Sequence, residues 1–122
     1  MIKHDDLLVP KDVRFCLEND VDYIIHSVYH GQDEIIELKK LITKEKEKLK
    51  EEKGIIEDVK IVAKLENEQA IKDIQGILTH ADAVFIPRGV LGTVLPIEKI
   101  SWIQKSVIKL CNFYAKPCIL AS

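Results

Sequence analysis

The feature that most limits the possible folds is a regular alternation between short β-branched runs and longer segments with helical periodicity. Four apolar runs typical of buried strands lie at residues 21–28, 59–64, 83–86 and 118–121. The segments between them repeat apolar residues every three or four positions, which predicts helices. Short links between alternating strands and helices predict a parallel sheet with right-handed crossovers. Four such strands form either a small open sheet or half of an eight-stranded barrel.

A pair of opposite charges ends the second predicted strand. Lys64 and Glu66 come where the apolar run gives out, and their spacing of two places both side chains on one side of the strand end. Because α/β enzymes keep their chemistry at the carboxyl ends of strands, these are the first candidate site residues. The alternative interpretation is that the two charges only pair with each other at a solvated strand end.

The composition is that of one globular domain. The 122 residues are 47% hydrophobic, which is enough for a single core. The formal net charge of −2 gives no support for binding nucleic acid or an anionic membrane. The apolar runs are also far shorter than the roughly 18 residues that span a bilayer. The three cysteines lack CxxC spacing, and we interpret them as reduced, mostly buried thiols of a cytoplasmic protein.

A segment of alternating charges extends the second predicted helix. Residues 43–53 read TKEKEKLKEEK, in which Leu49 is the single apolar residue, and Gly54 can end the helix. A tail that binds a polyanion needs an excess of positive charge, whereas the signs here alternate. We therefore predict a solvated helical extension.

Two other features are weak candidates. His26 and His30 lie four residues apart, but the first is on a predicted strand and the second in a loop, so they do not share a helical face as zinc-binding pairs do. Trp102 is predicted to pack along a helix and not to act as a stacking platform.

Several motifs taken together are similar to the catalytic barrel of pyruvate kinase. The family patterns AKIEN, ARGDLG, CN and GKPV correspond here to AKLEN at 63–67, PRGVLG at 87–92, CN at 111–112 and KP at 116–117. The run VDYIIHS at 21–27 resembles the family's VDFIALSF. The resemblance covers residues 12–122 with one insertion, the charged helical segment at about 43–54. It implies an α/β fold, a partial TIM (β/α)8 barrel, in which this chain supplies roughly the fourth to seventh parallel strands.

The resemblance also implies a reaction and a set of site residues. The family transfers the phosphoryl group of phosphoenolpyruvate to ADP in glycolysis, using Mg²⁺ and potassium (K⁺). By position, Lys64 matches the lysine that offsets charge on the phosphoryl group and the enolate oxygen, and Glu66 matches a carboxylate that holds Mg²⁺. Arg88 and Gly89 match the loop whose backbone amides meet the substrate carboxylate. Ser122 stands where the family has a threonine beside the substrate.

The main departure from the family pattern is at Val90. This valine occupies the position of the aspartate that is the second protein ligand of Mg²⁺, and an isopropyl group cannot coordinate a metal. Positioning and electrostatics supply nearly all of the catalysis in phosphoryl transfer, so this loss is predicted to cost orders of magnitude in rate. We expect the isolated chain to be inactive. The alternative hypothesis is a non-catalytic relative that acts as a binding or interaction module.

The predicted sheet also leads to two expectations, one about a longer parent protein and one about self-association. The sequence stops within the last predicted strand, so we expect the chain to be a piece of a longer protein. Half a barrel leaves two strand edges and its interior side chains exposed. We therefore expect the chain to associate with itself and cover these edges.

Overall fold

The chain alternates helices and strands in the order that the sequence predicts. The computed structural model describes residues 10–19, 21–54, 58–93 and 95–121. The elements are α1 (Pro10–Glu18), β1 (Tyr23–Val28), α2 (Gln32–Lys53), β2 (Lys60–Leu65), α3 (Glu68–Lys72), α4 (Ile74–His80), β3 (Ala83–Pro87), α5 (Arg88–Leu91), α6 (Ile97–Phe113) and β4 (Cys118–Ala121). Within these described ranges, no helix combines the length and the apolar character needed to cross a membrane.

The strands form one parallel sheet in the order β1-β2-β3-β4. Its register places Ser27, Lys64, Phe85 and Ile119 at the same level across the four strands. At least one helix connects each strand to the next, as parallel pairing requires. This is the arrangement of a partial TIM (β/α)8 barrel, and the predicted fold class is confirmed.

The two faces of the sheet differ in how well they are covered. On β1, the side chains of Ile24, His26 and Val28 are buried on the face that carries the helices. The alternate residues Tyr23 and Ile25 are 56% and 51% exposed. We call this second side the open face. By register it carries Tyr23, Ile25, Ser27, Lys64, Phe85 and Ile119, and also Val62 and Ala83, which are buried. Parallel sheets are normally covered on both faces, so the open face is unusual.

Carboxylates hold the start of α2. Glu34 accepts hydrogen bonds from the backbone N–H groups of Tyr29 (3.1 Å) and Gly31 (3.2 Å). Asp73, at the junction of α3 and α4, accepts the N–H of Gln32 at 2.6 Å. Negative groups at a helix N-terminus satisfy free N–H groups and complement the helix dipole. A Cβ atom at Gly31 would lie 2.5 Å from Asp73 Oδ2, so glycine permits this close approach.

The charged extension of α2 is only partly solvated, contrary to the prediction from its sequence. The helix runs without a break to Lys53. Within the extension, Glu45 is 3% exposed and Leu49 is fully buried. Leu49 belongs to the same core as Val13 and Leu17 of α1. The difference arises because α1 packs against α2 and covers this stripe, which the local charge pattern does not reveal.

Two local features differ from the predictions. Residues 88–91, which contain the Arg88 and Gly89 matched to the family's loop, form the single helical turn α5, in which Gly92 N–H donates to Arg88 O at 2.8 Å. Trp102 does not pack into the core but is 67% exposed. The buried side of α6 carries Ile100, Ile103 and Val107, and Trp102 projects away from it.

Candidate functional site

Lys64 and Glu66 lie side by side at the carboxyl end of β2. Lys64 Nζ is 3.4 Å from Glu66 Oε1, and the two side chains are 30% and 11% exposed. The backbone N–H of Glu66 donates to Val28 O at 3.2 Å, which extends the β1–β2 pairing past the strand end and orients the carboxylate. The period-two spacing thus brings the two charges together. Their contact fits both interpretations of the sequence, a paired strand end and a reactive site.

Two further side chains contact this pair, and the sequence alone assigned no role to either. The hydroxyl of Ser27 on β1 donates to Glu66 Oε1 at 2.8 Å. On the other side, Lys64 Nζ lies 5.9 Å from the centre of the Phe85 ring, within the range of a cation–π interaction. Knowledge of the strand register would have identified Ser27 and Phe85, because residues at the same level of neighbouring parallel strands share a face.

Arg88 and Gly89 follow β3 at the same edge of the sheet. β3 pairs with β2 and ends at Pro87, so α5 begins at the edge where the carboxyl ends of the strands meet. Both residues are exposed and line a cavity of about 490 Å³ together with residues of the following segment: Gly92, Leu95, Ile97, Ile100, Ser101 and Gln104. The backbone of Val90 lies in α5. The side chain of Val90 and all of Ser122 are outside the described part of the chain.

An ion pair braces the segment that follows Glu66. Asn67 caps α3 by accepting the N–H of Ala70 at 3.0 Å. The next residue, Glu68, accepts a hydrogen bond from Lys99 Nζ at 2.8 Å, which ties the start of α3 to the start of α6. This hydrogen bond lowers the pKa of the Glu68 carboxyl below its usual value. The backbone beside the candidate site is therefore held at two points.

The oxygen donors present fit only part of a Mg²⁺ site. Mg²⁺ prefers octahedral oxygen ligands, and Glu66 supplies one carboxylate at the strand end. Its Oε1 atom already accepts from Ser27 and faces Lys64. Val90 supplies no oxygen from its side chain. In the described ranges, no three His, Cys, Asp or Glu side chains cluster so that they could hold a metal ion. The donor set does not fit a metal held by two carboxylates.

His26 and His30, the histidine pair noted in the sequence, lie in different environments. His26 is fully buried on the helix-covered side of β1, whereas His30 is exposed in the turn after the strand. His26 and His30 therefore do not form a shared metal site.

Comparison with known proteins identifies the family. The family profile described as "Pyruvate kinase, barrel domain" matches residues 6–122. A protein named pyruvate kinase from Bacillus licheniformis is 32% identical over 111 residues, and one from Debaryomyces hansenii is 33% identical over 111 residues. These matches cover 91% of this chain but only 17% and 20% of the two relatives.

A third relative, a pyruvate kinase from Staphylococcus aureus, is 29% identical over 112 residues, with 92% of this chain and 17% of the relative covered. This chain thus spans about one fifth of the length of the curated relatives that it matches. The profile match extends over nearly every residue, including the strand ends that carry Lys64, Glu66 and Arg88. The chain belongs to the pyruvate kinase barrel-domain family.

Proposed function

We propose that the barrel to which this chain belongs transfers the phosphoryl group of phosphoenolpyruvate to ADP, a step of glycolysis, in the cytoplasm. The observation that carries the proposal is the contact between Lys64 and Glu66, 3.4 Å apart at the carboxyl end of β2. Arg88 and Gly89 begin α5 at the same edge of the sheet. We assign the described strands to the fourth to seventh strands of the barrel, and residues 43–54 to an insertion.

Lys64 is the residue to which we assign charge stabilisation. When the phosphoryl group leaves phosphoenolpyruvate, negative charge develops on the enolate oxygen and on the transferring oxygens. An ammonium already fixed in a partly dehydrated site stabilises that charge with little reorganisation. Contacts with Glu66 and the Phe85 ring hold the Lys64 ammonium in position before the substrate arrives.

The substrate carboxylate would meet the backbone amides of Arg88 and Gly89. These residues open α5, where the first N–H groups of a helix have no intrahelical acceptor. The Ser122 hydroxyl would lie beside the substrate, as the threonine does in the family pattern.

We propose that Mg²⁺ and K⁺, which the family uses, bind only in a complete barrel. Among the described residues at this strand end, Glu66 is the one carboxylate that could bind Mg²⁺, and a valine at position 90 offers the second ligand position no side-chain oxygen. No residue of this chain is assigned to K⁺. We therefore propose that the 122 residues alone do not turn over phosphoenolpyruvate.

The test is pyruvate formation from phosphoenolpyruvate and ADP, measured on the longest natural form and on the isolated chain. In the longest form, Lys64→Ala should lower kcat by orders of magnitude, because it removes a charge that acts mainly in the transition state. Lys60→Ala is the matched control, since Lys60 is an exposed lysine at the opposite end of β2. Full activity in Lys64→Ala would refute the assignment, and turnover by the isolated chain above its own Lys64→Ala variant would refute the proposed inactivity.

A second candidate function is a non-catalytic binding or interaction module, which the valine at position 90 favours. Restoring the carboxylate with Val90→Asp in the longest natural form distinguishes the two. A Mg²⁺-dependent gain of orders of magnitude would identify the missing aspartate as the cause of inactivity. No gain would mean that the site lacks other catalytic groups besides the aspartate, as the non-catalytic alternative requires.

We also propose that the isolated chain associates with itself. Within the described sheet, β1 and β4 each pair with a single strand. The open face exposes Tyr23, Ile25 and Ile119, which are 56%, 51% and 42% accessible. Two copies related by a two-fold axis could pair β4 of each with β1 of the other and close eight strands. Light scattering should then give the mass of a dimer, and a monodisperse monomer at high concentration would contradict the proposal.

A further inference from the structure

Two cysteines meet where the chain turns from α6 into β4. Cys111 lies in the last turn of α6 and Cys118 is the first residue of β4. Between them the chain reverses at Ala115, whose φ of 55° is in the left-handed region. The N–H of Lys116 donates to Cys111 O at 2.8 Å, which closes the turn. The return of the chain thus brings the Cys118 side chain back onto the end of the helix.

Strand pairing fixes the position of Cys118 on this turn. Cys118 lies opposite Val84 in the β3–β4 register, and the N–H of Val84 donates to Pro117 O at 3.1 Å. Cys111 is a member of the hydrophobic core, and Cys118 packs against that core. Because a helix end and a paired strand position the two residues, their proximity follows from the fold and not from a flexible loop.

The two thiols are unequal in environment and in acidity. Cys111 is 1% exposed, whereas Cys118 is partly exposed. The interaction between the two thiols lowers the pKa of Cys118 and, together with burial, raises the pKa of Cys111. The thiolate is the reactive form of cysteine. Exposure and acidity therefore both favour Cys118 as the cysteine that reacts first.

We propose that Cys111 and Cys118 form a dithiol modification site that hydrogen peroxide converts to an intramolecular disulfide. The Cys118 thiolate attacks one peroxide oxygen, the O–O bond breaks, and Cys118 becomes a sulfenic acid while hydroxide leaves. The Cys111 sulfur then attacks the Cys118 sulfur, the S–O bond breaks, and water leaves. Overall, two thiols and one peroxide give one disulfide and two waters. A thiol reductant reverses the change by exchange.

This site is independent of the proposed phosphoryl transfer, since neither cysteine contacts Lys64 or Glu66 among the interactions of the described residues. Cys16 provides an internal comparison, because it lies on α1, away from the α6–β4 turn. Helix α1 packs against α2. A selective reaction of the pair would leave Cys16 as a thiol.

The experiment treats the intact chain with hydrogen peroxide, alkylates the remaining thiols in denaturant and maps the products by mass spectrometry. Chymotrypsin cleaves after Phe113 and Tyr114, so a disulfide between Cys111 and Cys118 is seen as two linked peptides. We expect this linkage to form within single chains, to leave Cys16 alkylated and to disappear after reduction. A Cys16→Ser variant should give the same product.

Two further measurements keep the outcome decisive. In Cys111→Ser the sulfenic acid at Cys118 has no neighbouring thiol to react with and should be trapped by dimedone. In the unfolded chain, linkage should form several-fold more slowly, because the fold no longer holds the two thiols together. The proposal is overturned if peroxide leaves both cysteines alkylated, if the linkage involves Cys16 or a second chain, or if the native and unfolded chains react at the same rate.

Discussion

Truncation of Leu49 tests whether the charged extension of α2 is a packed part of the domain. Leu49 is fully buried although it is the single apolar residue in residues 43–53. Leu49→Ala removes a buried isobutyl group and leaves a cavity between α2 and α1. Such changes cost about 2 to 5 kcal/mol, and we expect roughly 3 kcal/mol at this site. That is a large fraction of the approximately 5 to 15 kcal/mol that stabilises a domain.

Urea unfolding followed by circular dichroism measures this loss. With a slope of about 1.5 kcal/mol per molar, the expected change moves the midpoint down by about 2 M. The control is Glu51→Ala, which changes an exposed residue of the same helix and should stay within about 0.5 kcal/mol of the parent chain. If Leu49→Ala costs less than about 1 kcal/mol, the extension is not packed against α1 in solution, and the solvated helix predicted from the charge pattern is right.

Two further substitutions test contacts near the candidate site. The hydrogen bond from Lys99 lowers the pKa of the Glu68 carboxyl in the folded chain. The stability that this hydrogen bond contributes is therefore present above the unfolded-state pKa of Glu68. It is lost as the pH falls through the lower folded-state pKa. Glu68→Gln should therefore flatten the acid side of the plot of urea midpoint against pH, and an unchanged plot would contradict this. Ser27→Ala removes the donor to Glu66 and should cost about 1.5 kcal/mol, whereas Ser101→Ala, at an exposed position, should cost almost nothing by the same assay. Equal losses in the two serine variants would show that the bond to Glu66 contributes nothing.

The strands and their alternation with helices could be predicted because they depend on local residue choice. The β-branched runs, such as that of β2, indicate strands without reference to any other part of the chain. The pairing of Lys64 with Glu66 could also be predicted, because a spacing of two is enough to place two side chains on one face of a strand. These features need no knowledge of the neighbouring strands.

The missed features depend on contacts between distant segments. Ser27 and Glu66 are 39 residues apart, and their hydrogen bond requires the β1–β2 register. Burial of Leu49 requires α1 to dock on α2, which the alternating charges around it do not suggest. The helical turn α5 is a third case, because a proline and two glycines within six residues usually indicate a loop. In each case tertiary structure overrides the local pattern.

The helix-covered core and the candidate site lie on opposite faces of the same strands in this chain. Ile24 and Val28 are buried against the helices, while Ser27, between them in sequence, holds the carboxylate of Glu66 on the open face. A substitution on the open face can therefore change the site without opening a cavity in the core. The fold therefore does not by itself determine activity. The proposed catalysis depends on the groups at the carboxyl ends of β2 and β3, among which Lys64 and Glu66 are in contact.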